Sequence, residues 1–393
     1  MDGGTLYELK SQARCLAAVE GDADRNRFLL GTLNLRAANE LHVVEYNEDT
    51  SEATCVQVYE MPHETWDLCS CPGAEHAGKV LAVHNDAGAT QFAVMYDVDA
   101  IRTDGLEPAG SHAGGPPGKL ATLSAGKSPA EAVRKVAWDP TGDATRVVTL
   151  SRSRIDLWAL DKPSGTPAPA ATCQAPAPPD NVPKSRVASR AWNALCWDPH
   201  HANTLATGDG AGNVATIDLR TMAVAGSVAG AHAEPIRHLD YNPNRPHVIL
   251  SCGEDDEVKF WDLRKLGGGA ADAGGLKPLR TLREGGHAHW VTCARYNRFH
   301  DQLVLTGSTD GGVKLWRCAE ISSSPPADDG YEGEDGEGSN EKDGVAKNYT
   351  MHEESVYSVV WSAADAWIFG SLSFDGRLAM NYVPPAEKYR ILL

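Results

Sequence analysis

Apolar and polar residues alternate along this chain in short runs, the period-2 pattern of half-buried β-strands. The clearest case is residues 287–316, H-A-H-W-V-T-C-A-R-Y-N-R-F-H-D-Q-L-V-L-T-G-S-T-D-G-G-V-K-L-W. It predicts three strands, Val291–Tyr296, Leu303–Ser308 and 313–316, the last two joined by Thr309-Asp310-Gly311-Gly312. Asp beside Gly between alternating apolar residues is a tight-hairpin signal. The pattern recurs to give seven units, at 11–60, 64–124, 133–175, 190–228, 235–283, 287–351 and 355–383. The Pro- and Ala-rich stretch 161–186 cannot pair as a central strand and reads as an exposed loop. The sixth unit carries an insert, 321–346, before an outer strand expected at 347–351. The seventh stops at Pro384-Pro385 without a fourth strand and leaves a tail at 384–393, while residues 5–9 precede the first unit and belong to none.

A histidine about four residues before a unit's first strand, an aspartate in its hairpin turn and a tryptophan ending its third strand together match the WD-repeat signature. The expected fold class is therefore all-β, a single seven-bladed WD-repeat β-propeller over residues 1–393. An open ring would expose unpaired backbone at both ends, so residues 5–9 are expected to close the last blade. One landmark recurs near the end of the inner strands: Trp138-Asp139-Pro140, Trp197-Asp198-Pro199, Tyr241-Asn242-Pro243, Tyr296-Asn297 and Trp361-Ser362. The aromatic ring is expected to fill space between blades, and the small polar residue after it to start a turn. Successive landmarks lie 59, 44, 55 and 65 residues apart, which brackets the roughly 40–45 of a WD unit once the long loops are allowed for.

Composition narrows the function classes. The 393 residues are 42% hydrophobic, with apolar runs no longer than a strand and no basic, apolar leader at Met1-Asp2-Gly3-Gly4, so a cytosolic protein is expected. Nine scattered cysteines, an odd number, give no disulfide framework and are expected as small core residues. A net charge of -17 repels nucleic-acid phosphates and anionic lipid. Eight acidic residues crowd between Asp328 and Asp343. That segment reads as disordered and solvated, or on a second reading as a docking segment for a basic partner.

Two trios invite a hydrolase reading, His287 with Ser308 and Asp310, and His352 with Ser373 and Asp375; His232 with Asp255 is a partial third. A nucleophile needs one cleft, an activating base and an oxyanion hole, whereas these sets recur in successive blades. With Trp261 and Trp316 they are expected to be strand-locking hydrogen-bond networks instead. Cys69, Cys71, His76 and His84 lack zinc spacing, and no glycine pair forms a phosphate loop. No catalytic residue, metal or cofactor is expected.

Position in the repeat is more informative. The residue four before the landmark, or aligned with it, should sit near the channel mouth: Trp66, Arg134, Asn193, Arg237, Thr292 and Tyr357, with Trp192 and Trp290 beside it. Trp, Arg and Tyr dominate interface hot spots, so Trp66, Arg134, Trp192, Arg237, Trp290 and Tyr357 are the candidate protein-binding residues; packing and loop solvation are the alternatives.

Several stretches are more specific than a generic WD repeat. Y-N-P-N-R-P-H-V-I-L-S-C-G-E-D-D-E-V-K-F-W-D-L-R, H-D-Q-L-V-L-T-G-S-T-D, S-V-Y-S-V-V-W-S-A-A-D-A-W-I-F-G-S-L-S-F-D-G-R-L and the terminal K-Y-R-I-L-L resemble the EARP and GARP complex-interacting protein family, as do R-F-L-L-G-T, L-H-V-V and E-T-W-D-L-C-S-C-P near the start. Arg152, where a turn aspartate is usual, and Ile217, in place of a tryptophan, depart from the pattern. The resemblance implies a non-enzymatic adaptor that binds subunits of vesicle-tethering complexes. It would be a monomeric propeller within a larger assembly, without direct membrane insertion, recruited peripherally from the cytoplasm to the trans-Golgi network and endosomes. It would serve endosomal recycling and endosome-to-Golgi retrograde traffic. It carries over no binding residues. A second reading rests on Trp261-Asp262-Leu263-Arg264, which resembles the WD-x-R box by which some propellers dock on the damage-binding adaptor of cullin-RING ubiquitin ligases as substrate receptors. Arg264 would make the key contact there; its alternative is an ordinary strand end.

Overall fold

In the computed structural model, which describes residues 4–85, 91–101, 115–123, 132–160, 168–175, 191–267, 276–324 and 343–393, the strands form seven four-stranded antiparallel sheets. The sheets are the blades of a propeller. Their inner strands are Ala13–Ala18, Glu64–Ser70, Val133–Trp138, Trp192–Trp197, Ile236–Tyr241, Val291–Tyr296 and Val356–Trp361. Each packs against the next and the seventh against the first, so the ring is closed.

Alternation along each strand puts apolar side chains on both faces of a blade, and the core is accordingly annular. Seven apolar clusters each fill the space between two neighbouring blades. The landmark rings sit in these seams: Trp138 packs with Leu81 and Val83 of the preceding blade, and Tyr296 meets Phe260 edge-on at 5.9 Å. The polar residue after each ring caps a turn. Asp198 Oδ1 accepts the His200 amide at 2.8 Å, and Asn297 Oδ1 accepts those of Phe299 and His300 at 2.9 Å.

Closure is made by Thr5–Glu8, which pairs antiparallel with Arg377–Tyr382 from Thr5 opposite Met380 to Glu8 opposite Arg377. The Leu9 amide continues the ladder to the Gly376 carbonyl at 3.0 Å, and the Leu9 side chain is buried between blades 7 and 1. Gly376 has φ +88°, and a Cβ there would lie 2.2 Å from the Ser11 carbonyl oxygen. Only glycine fits where the last hairpin meets the incoming chain.

Three boundaries differ from the sequence expectation. Blade 3 takes its outer strand, Ala171–Gln174, from within the Pro/Ala-rich loop. It is an edge strand free of proline, anchored by buried Cys173 and by Thr172 Oγ1 donating to Asp156 at 2.6 Å. The outer strand of blade 6 is Gly344–Tyr349, and both ends of the insert are ordered. Ser323 donates through its amide and hydroxyl to Asp301, while Asp343 accepts the Ala319 amide and Arg280. Residues 325–342, most of the acidic segment, lie outside the described residues. The tail is a helix, Pro385–Leu392, begun by proline in its first turn. Its buried Glu387 pairs with Arg317 at 3.6 Å and Arg390 at 3.0 Å, and Ile391 packs on the seam between blades 6 and 7. Among the described residues no helix is long and apolar enough to cross a membrane.

Candidate functional site: the propeller mouth

The histidine networks have the connectivity of a hydrolase relay and the surroundings of a core. In blade 5, Asp255 holds His232 Nδ1 at 2.8 Å, His232 Nε2 meets Ser251 Oγ at 2.7 Å, and Trp261 Nε1 donates to that hydroxyl at 2.8 Å. Blade 6 repeats it with Asp310, His287, Thr306 and Trp316. The hydroxyl there is Thr306, two residues before the expected Ser308: it lies on the same strand face as Val304, the residue opposite Trp316, one period on, where its Oγ1 reaches both the indole and the imidazole. Ser308 instead bonds backbone, donating to the His289 carbonyl and accepting the Asp310 amide, both at 3.1 Å. In blade 7, His352 bridges Ser371 and Ser373, and Ser373 donates to Asp375. Ser251 and Thr306 are 0% exposed and each already receives an indole N–H, so no substrate reaches either oxygen. Burial would raise the Asp255 carboxyl, but His232, the Ala233 amide and Lys259 hold it below the usual range. Burial drives His352 down to about 4.

The mouth is built by a backbone irregularity common to every blade. In each inner strand the pairing register slips by one at the same place, leaving an extra residue: Arg14, Trp66, Arg134, Asn193, Arg237, Thr292 and Tyr357 in blades 1 to 7. A bulge of this kind bends the strand and re-aims its extra side chain. The ring thus gathers three arginines and two aromatic residues, all partly buried. Arg14 lies over the rings of Trp66, at 5.0 Å, and Tyr357, at 4.9 Å. Arg134 donates to the Asn193 amide oxygen at 3.1 Å, and Thr292 Oγ1 to the Val356 carbonyl at 2.6 Å. Arg237 lies 5.6 Å over Trp290 and pairs with Glu254. Burial, then the charges of Arg152, Arg237 and Arg14, push the Arg134 guanidinium down to about 10.

Of the residues expected here, Trp66, Arg134, Arg237, Trp290 and Tyr357 are at the mouth, and Trp290 is 40% exposed. Trp192 is not available. It is 4% exposed, packed with Val148, Leu150 and Leu205 in the seam between blades 3 and 4, because it precedes the bulge and points away from the channel. Sequence reasoning missed Arg14, since blade 1 ends its inner strand at Ala18 with no aromatic landmark to count from. Alignment of 14 with 134 and 237 on blade order alone would have found it.

Below the ring the channel encloses a cavity of about 420 Å³. Asp67 accepts Lys135 Nζ at 2.6 Å there, and burial lifts the Asp240 carboxyl to about 6 against the pull of Arg295. Cys69 and Cys196 are half-buried, lining this channel while packing against the core of the neighbouring seams. At its far end Glu20 and Arg298 meet at 3.5 Å.

The WD-x-R box lies at that opposite end, because third strands run parallel to inner ones. Trp261 is buried in the seam, and Asp262 receives the Arg264 amide, Nε and Nη2 at 3.0, 2.9 and 2.7 Å. Blade 4 closes its third strand in the same way with Asp218 and Arg220.

The EIPR1 beta-propeller family model matches residues 1–316. EARP and GARP complex-interacting protein 1 of Homo sapiens is 32% identical over 406 residues, covering 100% of this chain and 99% of its own. The protein of that name in Rattus norvegicus is 33% identical with the same coverage. WD repeat-containing protein DWA2 of Arabidopsis thaliana is 29% identical across 98% of this chain and 99% of its own. Fold, blade count and full-length similarity agree: the chain belongs to the EIPR1 beta-propeller family.

Proposed function

We propose that this protein is a non-enzymatic adaptor that binds subunits of the EARP and GARP tethering complexes through its propeller mouth. Through them it supports endosomal recycling and endosome-to-Golgi retrograde traffic, peripherally recruited from the cytoplasm and monomeric within the larger assembly. The observation that carries the reading is the ring of bulge residues, where arginine and aromatic side chains of the hot-spot types converge on one face. The names of the full-length relatives point to the same partners. A rigid ring loses little conformational freedom on docking, which suits a presenting surface. Nucleic acid is disfavoured by the net charge of -17.

The test is affinity capture of tether subunits with wild type and with a Trp290→Ala, Arg237→Gln variant of unchanged circular dichroism and melting temperature. Loss of the subunits is expected; undiminished recovery rules out this face. In the same capture, recovery of cullin and its adaptor that disappears on Arg264→Ala would instead favour the ligase reading.

A further inference from the structure

The bulge positions at the mouth gather positive charge. Arg14, Arg134 and Arg237 occupy three of its seven bulge positions, and Arg152 projects from the adjoining turn of blade 3. In a chain of net charge -17, four guanidinium groups on one opening should be neutralised by local carboxylates. One is. Arg237 pairs with Glu254, whereas among the described residues Arg14, Arg134 and Arg152 have no carboxylate partner. Two acids of the blade 2 inner strand are engaged elsewhere: Glu64 holds Trp66 Nε1 and Asn85, and Asp67 holds Lys135.

A guanidinium over an aromatic face keeps its in-plane N–H donors for an incoming acceptor. Arg14 is poised in that way over Trp66 and Tyr357, and Arg237 over Trp290. Partly desolvated, mutually repelling arginines are raised in energy until an anion joins them, and burial and mutual repulsion lower the affinity of Arg134 for its proton for the same reason. Shape selects among anions. Arg14 and Arg134 are recessed and only Arg152 is exposed, so a flat bilayer surface meets one arginine while a protruding chain reaches all. The flanking Trp66 and Trp290 rings suit apolar side chains between the carboxylates.

We propose that the mouth takes an extended acidic peptide segment of the protein partner, with Asp or Glu carboxylates on Arg14, Arg134 and Arg152 and apolar side chains against Trp66 and Trp290. This rests on the mouth being the docking face. The probe is a short fluorescein-labelled peptide alternating glutamate and leucine, with its glutamine counterpart and phosphatidylserine vesicles as comparators. The acidic peptide should bind about tenfold or more tightly than the glutamine one, and weaken as salt rises through about 0.1 M. Arg14→Gln with Arg134→Gln should cost at least about tenfold. Arg152→Gln, on an exposed side chain that cannot disturb folding, should weaken binding measurably, while Arg220→Gln on the far face should not. Equal binding of both peptides, a folded double variant that binds like wild type, or binding to vesicles but not peptide overturns the proposal. Capture of tethers that depends on Trp290 and Arg237, without preference for the acidic peptide, would leave the docking face standing and sink this inference. Arginine-dependent acidic binding with tether capture unaffected would do the reverse.

Discussion

Replacing Thr306 by valine removes one hydroxyl and almost no volume, and it separates a structural relay from ordinary strand chemistry. Thr306 Oγ1 receives Trp316 Nε1 at 2.8 Å and meets His287 Nε2 at 2.8 Å, with the threonine 0% exposed. Valine leaves both partners buried and unpaired, at about 1–3 kcal/mol each, so Thr306→Val should destabilise by roughly 2–5 kcal/mol. Ser308→Ala removes two bonds to backbone at 3.1 Å and should cost only about 1 kcal/mol. The 393 residues at about 2.1 cal/mol/K each give an unfolding entropy of about 0.8 kcal/mol/K, so the expected drops in melting temperature are roughly 3–6 °C and 1 °C. Circular dichroism melts and urea titrations of both variants check this. If Thr306→Val melts like wild type, or Ser308→Ala falls as far, the relay does not lock blade 6.

Two further outcomes follow from single residues. Burial holds His84 and His352 at about 4 in the folded protein, against about 6.5 unfolded. The unfolded chain therefore binds the extra protons, and stability is complete above about pH 6.5 and lost as pH falls toward 4, by up to about 3 kcal/mol per histidine; urea titrations at pH 7.5 and 5 with equal midpoints would refute it. Gly376→Ala forces a Cβ to within 2.2 Å of the Ser11 carbonyl oxygen at φ +88°, so it should cost about 2 kcal/mol or more and expose Thr5–Glu8 to limited proteolysis. A variant as stable and protease-resistant as wild type would mean that this contact does not hold the ring shut.

What was legible in the sequence was whatever repeats. Period-2 runs, Asp-Gly turns and the Trp-Asp or Tyr-Asn landmarks recur often enough to fix strand type, blade number and the partner of residues 5–9. Edges were harder to read. The strand Ala171–Gln174 hides in a Pro-rich stretch because an edge strand needs only a few positions free of proline. The helix Pro385–Leu392 begins at the second of two prolines that looked like a terminator, although proline also begins helices. Ser308 for Thr306 was an error of one strand period: residues two apart share a face, and only the earlier one reaches the indole and the imidazole. Trp192 was an error of one residue at a bulge, where adjacent side chains point to opposite sides.

That last error explains why mouth and seam are separable in this fold. In blades 3 to 7 the seam position at the end of the inner strand is aromatic, as Trp138, Trp197, Tyr241, Tyr296 and Trp361 show, because each fills a similar gap, while blades 1 and 2 end in Ala18 and Ser70. The bulge positions share one geometry and no such constraint. They hold Arg14, Trp66, Arg134, Asn193, Arg237, Thr292 and Tyr357, five residue types at one address. Some of them contact one another around the ring, Arg14 with Trp66 and Tyr357 and Arg134 with Asn193. A pattern set ring-wise, with Arg14 between two aromatic rings and Arg134 beside Arg152, is what the proposed docking at the mouth would require. In a repeat protein the sites of recognition are therefore best sought where backbone geometry repeats and side chains do not.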